Sequence, residues 1–237
     1  MLNKIILSPP FSNLYPNIKG TTKITGTYTL KKRKGMHRVL TTLRKTRFGW
    51  LNKVGLRNPG ISKFNKKNSI VSIALQSIDE WPDFLKTLKE KKQKYNILGI
   101  EFNVSCPNYY VSNITNEIIK EAKTELNLVI LKIPHNSPLK DINSFCETDA
   151  DIIHVSNTKK TKNGAISGRS LIDQNLLDII YIRENYGYTK KIIAGGGIYY
   201  FEDLLLYQKA GADYFSLSTS LINPFRAYSI IKKSRYL

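Results

Sequence analysis

The chain has 237 residues, 41% of them hydrophobic, with 37 Lys or Arg against 18 Asp or Glu and a net charge of +19. That apolar fraction excludes a disordered chain, and the length suits one large domain. No run of 18 apolar residues occurs, which excludes a predicted membrane helix.

The apolar start of the chain breaks at Ser8-Pro9-Pro10, too early for a signal peptide. The two cysteines, Cys106 and Cys146, have no framework spacing, so a reduced, cytoplasmic setting is expected. The charge would attract anionic substrates and phosphate-bearing cofactors. Its lysines are scattered, with clusters at residues 31–34 and 89–94. A composition rich in Lys, Asn, Ile and Tyr accounts for them. No recognised nucleic-acid motif accompanies the charge, so nucleic acid is not the expected partner.

Along the chain, apolar runs alternate with amphipathic stretches, which predicts βα units on a parallel sheet. The first strand is Ile5–Leu7. Residues 9–20 then leave no room for a helix before the second strand, within 22–30, so the first βα unit is reduced. A long basic insert covers 31–68 and holds a Gly-Leu-Arg-Asn-Pro-Gly turn at 55–60. The third strand is expected at 70–75. A helix over 77–91 follows, with Trp81, Phe84, Leu85 and Leu88 at helical spacing. The fourth strand is Ile97–Asn103, followed by a helix over 113–126. The fifth strand spans 128–132 and the sixth is Ile152–Val155. A helix over 171–186 leads to the seventh strand at 191–194. A helix over 200–210, stopped by Gly211, leads to the eighth strand, Tyr214–Leu217. A last helix over 223–233 carries Pro224 in its first turn. Eight short strands buried on both faces predict an α/β fold, a (β/α)8 TIM barrel, with residues 1–237 as a single domain.

Candidate sites fall where these strands end, the place where barrel enzymes put their chemistry. Asn103-Val-Ser-Cys-Pro-Asn108 closes the fourth strand. Cys106 there could serve as nucleophile or base, or the segment could be an ordinary Asn-Ser-Pro turn. Gly195-Gly-Gly-Ile198 follows strand seven and Ser218-Thr-Ser220 follows strand eight. Loops after these two strands commonly hold a phosphate, which favours that role over a plain glycine turn. Lys132 ends strand five, where an unpartnered lysine is poorly explained as core. Asn157-Thr158 follows strand six, and a flexible loop runs from Gly164 to Gly168. The histidines have no metal-ligand spacing, so no metal is expected.

Together these segments resemble class 1 dihydroorotate dehydrogenases, a family of FMN-dependent barrels, and mark a short and divergent member. The resemblance covers most of the chain, most firmly residues 51–221. It implies that Cys106 is the catalytic base and that Asn103 and Asn108 hold a pyrimidine substrate. The segment Asn52-Lys-Val-Gly-Leu-Arg-Asn-Pro-Gly60 implicates Asn52 in substrate binding, as Asn157 and Thr158 are implicated over the ring. Lys132 matches the flavin-contacting lysine. Gly168, within Gly164-Ala-Ile-Ser-Gly-Arg169, and Gly196, Gly197, Ser218 and Thr219 match the flavin and phosphate loops. The implied reaction is oxidation of dihydroorotate to orotate in pyrimidine biosynthesis, with a second substrate of unknown identity reoxidising the flavin. Related class 1 proteins are often dimers, so a homodimer is expected.

The departures cluster on the first two strands. The family's strand-two lysine falls, by spacing from Gly35, on Gly26. Lys23 lies an odd number of residues away and points to the opposite face of a regular strand. Ser8-Pro9-Pro10 stands in place of a small-residue turn beside the flavin, and Ser218 in place of a glycine. Flavin phosphate binding is therefore expected to survive better than full activity, and a catalytically impaired flavin-binding descendant is the alternative. A tRNA dihydrouridine synthase-like flavoenzyme is a further alternative, disfavoured by the lack of room for a helical RNA-binding domain.

Overall fold

The structure, a computed structural model, describes residues 2–47, 49–104, 106, 111, 114–155 and 158–236. In chain order its elements are β1 (Ile5–Leu7), β2 (Thr21–Tyr28), α1 (Met36–Thr42), β3 (Arg44–Thr46), β4 (Gly49–Asn52), β5 (Ser69–Ile73), α2 (Trp81–Tyr95), β6 (Ile97–Asn103), α3 (Asn116–Leu126), β7 (Val129–Ile133), α4 (Leu139–Cys146), β8 (Ile152–Val155), β9 (Lys159–Thr161), β10 (Gly164–Ser167), α5 (Ile172–Tyr186), β11 (Lys191–Gly195), α6 (Phe201–Lys209), β12 (Tyr214–Leu217) and α7 (Pro224–Lys233).

The eight expected strands close into a barrel in the order β1-β12-β11-β8-β7-β6-β5-β2, and every neighbouring pair is parallel. The reduced first unit is present: only a 3-10 turn at Phe11–Leu14 lies between β1 and β2. Among the described residues no helix is long and apolar enough to cross a membrane.

Two features go beyond the sequence expectation. The insert at 31–68 and the loop after β8 pair into a second, four-stranded sheet in the order β3-β4-β10-β9. Its outer strands carry Arg44, Lys45, Lys159 and Lys160, all exposed. Charged edge strands resist pairing with another chain, which gives part of the basic composition a structural role. The second feature is α4, eight residues with only Ile142 and Cys146 buried, too few for a clear helical period.

Two apolar layers hold the barrel. Outside the wall, α2 presents Trp81, Phe84, Leu85 and Leu88 to the strands, and the Trp81 ring sits 5.5 Å from that of Phe102. Full burial of each such side chain stabilises by about 1.5–3 kcal/mol. Ile6, Ile24, Ile70, Ile130, Ile152 and Ile193 form a separate cluster, one residue from each of six strands. Side chains alternate along a strand, so two residues onward the same face carries Ser8, Gly26, Ser72, Lys132, His154 and Gly195. A floor of isoleucines thus supports a polar layer at the strand ends.

Candidate active site

Above that polar layer opens a cavity of about 420 Å³, within the usual range for small-molecule sites. Asn52, Asn103, Cys106, Lys132 and Thr158 all line it, and so do Gly168, Gly196, Gly197, Ser218 and Thr219. Residues drawn from seven segments between positions 52 and 219 therefore converge on one space. Asn108 and Asn157 lie outside the described residues.

Lys132 and Asn103 are register partners on β7 and β6, and Lys132 is also the register partner of His154 on β8. Asn103 is buried and donates its Nδ2 to Thr27 Oγ1 at 3.2 Å. Asn52, at the end of β4, accepts from the Val54 backbone N–H at 3.2 Å. The second sheet therefore supplies one wall of the cavity, through Trp50 and Asn52 on β4 and Ser167 on β10.

The turn after β11 is braced from behind. Tyr207 donates its hydroxyl to the carbonyls of Gly195 (3.1 Å) and Gly196 (2.8 Å), and Asn175 donates to the Gly195 carbonyl at 2.8 Å. In a trans peptide the N–H lies opposite the C=O. The N–H groups of Gly196 and Gly197 therefore turn away from Tyr207. Both glycines have positive φ, +80° and +83°. A Cβ on Gly197 would come within 2.9 Å of Arg169 Cα and of the Gly168 carbonyl, so the two loops touch here. Arg169 in turn bonds buried Asp203 at 2.8 Å, and Asp203 accepts from the Tyr199 and Tyr200 backbone N–H groups. Backbone donors held in this way suit an anionic phosphate. Ser218 donates to the Pro9 carbonyl at 2.8 Å, which ties the turn after β12 to the residues following β1.

The second strand resolves the missing lysine. Gly26 lines the cavity with φ +119°, and a Cβ there would meet the Ser72 carbonyl at 2.4 Å. No side chain fits on this backbone. Lys23 is buried, and its ammonium donates to the Tyr15 carbonyl, outside the cavity lining. Burial, helped by Lys66, pulls its pKa below the usual lysine value. The register of β2 against β5 shifts between Thr25 and Tyr28. That irregularity lets Gly26 and Thr27 both face the cavity, as bulges re-aim side chains.

Sequence reading missed Glu101 and its pairing with His154 in the buried polar layer. Glu101 and His154 are fully enclosed and bonded to each other, Nδ1 to Oε2, at 2.7 Å. Burial raises the Glu101 pKa, but the charges of His154 and Lys132 outweigh it and bring it down to about 2. Burial lowers that of His154, more than Glu101 restores. Glu101 is therefore ionised, and its charge lies near the Lys132 ammonium. One signal was available: Glu101 shares a strand face with Asn103 in an otherwise apolar run, where an unpaired carboxylate would be costly.

No protein-family model matches the chain. Among individual proteins, it is 29% identical over 211 residues to the dihydroorotate dehydrogenase B (NAD(+)) catalytic subunit of Saccharolobus solfataricus, covering 78% of this chain and 70% of that one. It is 25% identical over 209 residues to a putative dihydroorotate dehydrogenase A (fumarate) of Aquifex aeolicus, covering 73% and 67%. In structure it resembles the ligand-free DHODH of Eimeria tenella with a TM-score of 0.79 at 18% identity, over 97% of this chain and 82% of that one. The sequence matches are to proteins named dihydroorotate dehydrogenase, and the structural match shows the same barrel fold.

Proposed function

We propose that this barrel, residues 1–237 as one unit, binds FMN and oxidises dihydroorotate to orotate in cytoplasmic pyrimidine biosynthesis. One observation carries the reading: Cys106, Asn52, Asn103, Lys132 and Thr158 line the same cavity as the braced glycine turn at 196–197. The relatives named above carry the same activity in their names.

In this reading the N–H groups of Gly196 and Gly197, with Ser218 and Thr219, would hold the phosphate of FMN. When bound, FMN supplies the two-electron acceptor for the hydride leaving C6 of the substrate. Cys106, as thiolate, removes the proton from C5. The amides of Asn52 and Asn103, with Asn108, Asn157 and Thr158, match the donors and acceptors of the planar ring, which gives selectivity beyond shape. Lys132 holds a positive charge at the cavity floor, where negative charge develops. A second substrate, not identified by these residues, accepts the electrons, and a homodimer is the assembly to test.

Gly26 favours a second reading, a flavin-binding homologue with impaired chemistry, because β2 brings no cation to the cavity. Anaerobic mixing of the FMN-loaded protein with dihydroorotate separates the two. Bleaching of the flavin supports oxidation. A flavin that binds and stays oxidised supports the impaired homologue, and failure to bind FMN removes both.

A further inference from the structure

We infer that Arg57, at the mouth of the cavity, binds the carboxylate of the ligand and supplies from the insert the positive charge that β2 does not bring. This rests on the proposed substrate, a planar ring that carries a carboxylate.

Among the described residues two charged side chains line the cavity, Arg57 and Lys132, and no Asp or Glu does. A cleft lined by charge of one sign concentrates ligands of the other. The two cations are not equivalent. Lys132 stands on the barrel wall in register with His154, close enough to the ionised Glu101 for each charge to offset the other. Arg57 has no ion pair, side-chain hydrogen bond or ring contact among the described residues, so its charge is uncompensated within them. A guanidinium carries five donors in a planar fork and accepts nothing. That fork matches the two oxygens of a carboxylate, which makes Arg57 the better carboxylate reader of the two.

The backbone that presents Arg57 is fixed, although its side chain is exposed. The next residue, Asn58, is buried and makes four side-chain bonds. Its Oδ1 accepts from the Thr29 N–H at 3.1 Å and the Gly60 N–H at 2.8 Å. Its Nδ2 donates to Thr29 Oγ1 at 2.9 Å and to the Leu56 carbonyl at 2.7 Å. Its own N–H and C=O pair with Arg33. Leu56, on the other side of Arg57, is also buried. Only the Arg57 side chain therefore remains to be ordered when a ligand binds, which keeps the entropic cost small.

Position favours a substrate carboxylate over the flavin phosphate. Arg57 belongs to the segment that brings Asn52 and Leu56 to the cavity, whereas the phosphate reading falls on the turns after β11 and β12. From β2 the same space receives Gly26 and Thr27, both uncharged. The ligand class that follows is a planar ring bearing a carboxylate, preferred over the same ring without it.

The test is calorimetric titration of orotate, uracil and benzoate into the protein incubated with FMN, with FMN affinity and melting temperature measured alongside. Arg57→Gln should weaken orotate at least about fivefold, the low end for a charge-assisted bond at an exposed site. Uracil, the ring without its carboxylate, should bind parent and variant within about twofold. FMN affinity should not change. Added salt should weaken orotate more in the parent than in Arg57→Gln. If Arg57→Gln fails to fold, Arg57→Met takes its place. If the parent binds orotate and the variant matches it, this proposal falls and the substrate reading stands. Weaker FMN with orotate unchanged would assign Arg57 to the flavin phosphate and overturn the proposal. If the parent binds benzoate but not orotate, the substrate reading fails, and the same comparison with benzoate decides the role of Arg57. A parent that binds neither carboxylate overturns both.

Discussion

Glu101 and His154 form a fully enclosed pair inside the barrel, 2.7 Å apart, with His154 in register with Lys132 and Glu101 two residues before Asn103 on β6. Charges in such a place are kept only when paired, because their desolvation is expensive. The isoleucine floor below them offers no polar partner, so the pair and its neighbours must satisfy one another.

Acid should therefore find this pair. The Glu101 carboxyl, near 4.5 when free and about 2 in the folded protein, contributes stability that is present above 4.5 and lost as pH falls toward 2. His154, lowered by burial, adds to the acid loss, because the unfolded chain takes up its proton first. Urea unfolding across this range should show a shallower acid decline in Glu101→Gln than in the parent. Parallel declines would remove Glu101 as a source. His154→Ala, which strips Glu101 of its partner, should destabilise by about 3–5 kcal/mol at neutral pH.

Restoring the expected lysine should fail. At Gly26 the backbone has φ +119°, and a Cβ would lie 2.4 Å from the Ser72 carbonyl. Gly26→Lys should destabilise the protein by at least about 1–3 kcal/mol, the cost of a strained backbone position, and should not raise turnover. A stable variant with higher activity would show that β2 rearranges. Lys23→Met is the companion test. Its ammonium serves the Tyr15 carbonyl, so FMN affinity should be unchanged, and a drop in that affinity would place Lys23 in the site.

The braced turn at 196–197 makes a prediction about the cofactor. Gly197→Ala would push a methyl against Arg169 Cα and the Gly168 carbonyl from a backbone at φ +83°. FMN affinity should fall at least about tenfold if even one N–H donor to the phosphate is lost along with the geometry. Tyr207→Phe removes the hydroxyl that holds the Gly195 and Gly196 carbonyls and should weaken FMN in the same direction, by less. Fluorescence quenching of free FMN measures both, and unchanged affinity in the two variants would separate this turn from the phosphate.

For the chemistry, Cys106→Ala should slow anaerobic bleaching by dihydroorotate about 100-fold or more, the scale of general-base catalysis, with FMN affinity intact. Bleaching at the parental rate would take Cys106 out of the role of base.

The sequence by itself determined the barrel, the order of its eight strands, the reduced first unit and the strand-end segments that carry the candidate residues. These are legible because they are local: an apolar run of four or five residues, a helical period such as that of Trp81, Phe84, Leu85 and Leu88, a glycine turn after a strand. The spacing implied by the family resemblance also located the gap at Gly26, and the alternation of strand faces set Lys23 aside. What only the tertiary structure decided is relational. The pairing of β4 with β10 joins segments more than 100 residues apart and makes a cavity wall that neither shows alone. The contact of Glu101 with His154, and those of Thr27 with Asn103 and Ser72, depend on register between strands and on one irregularity in β2. A one-residue slip would turn each of those side chains to the other face. Periodicity can say that Glu101 shares a face with Asn103; only the closed barrel says which groups meet it there.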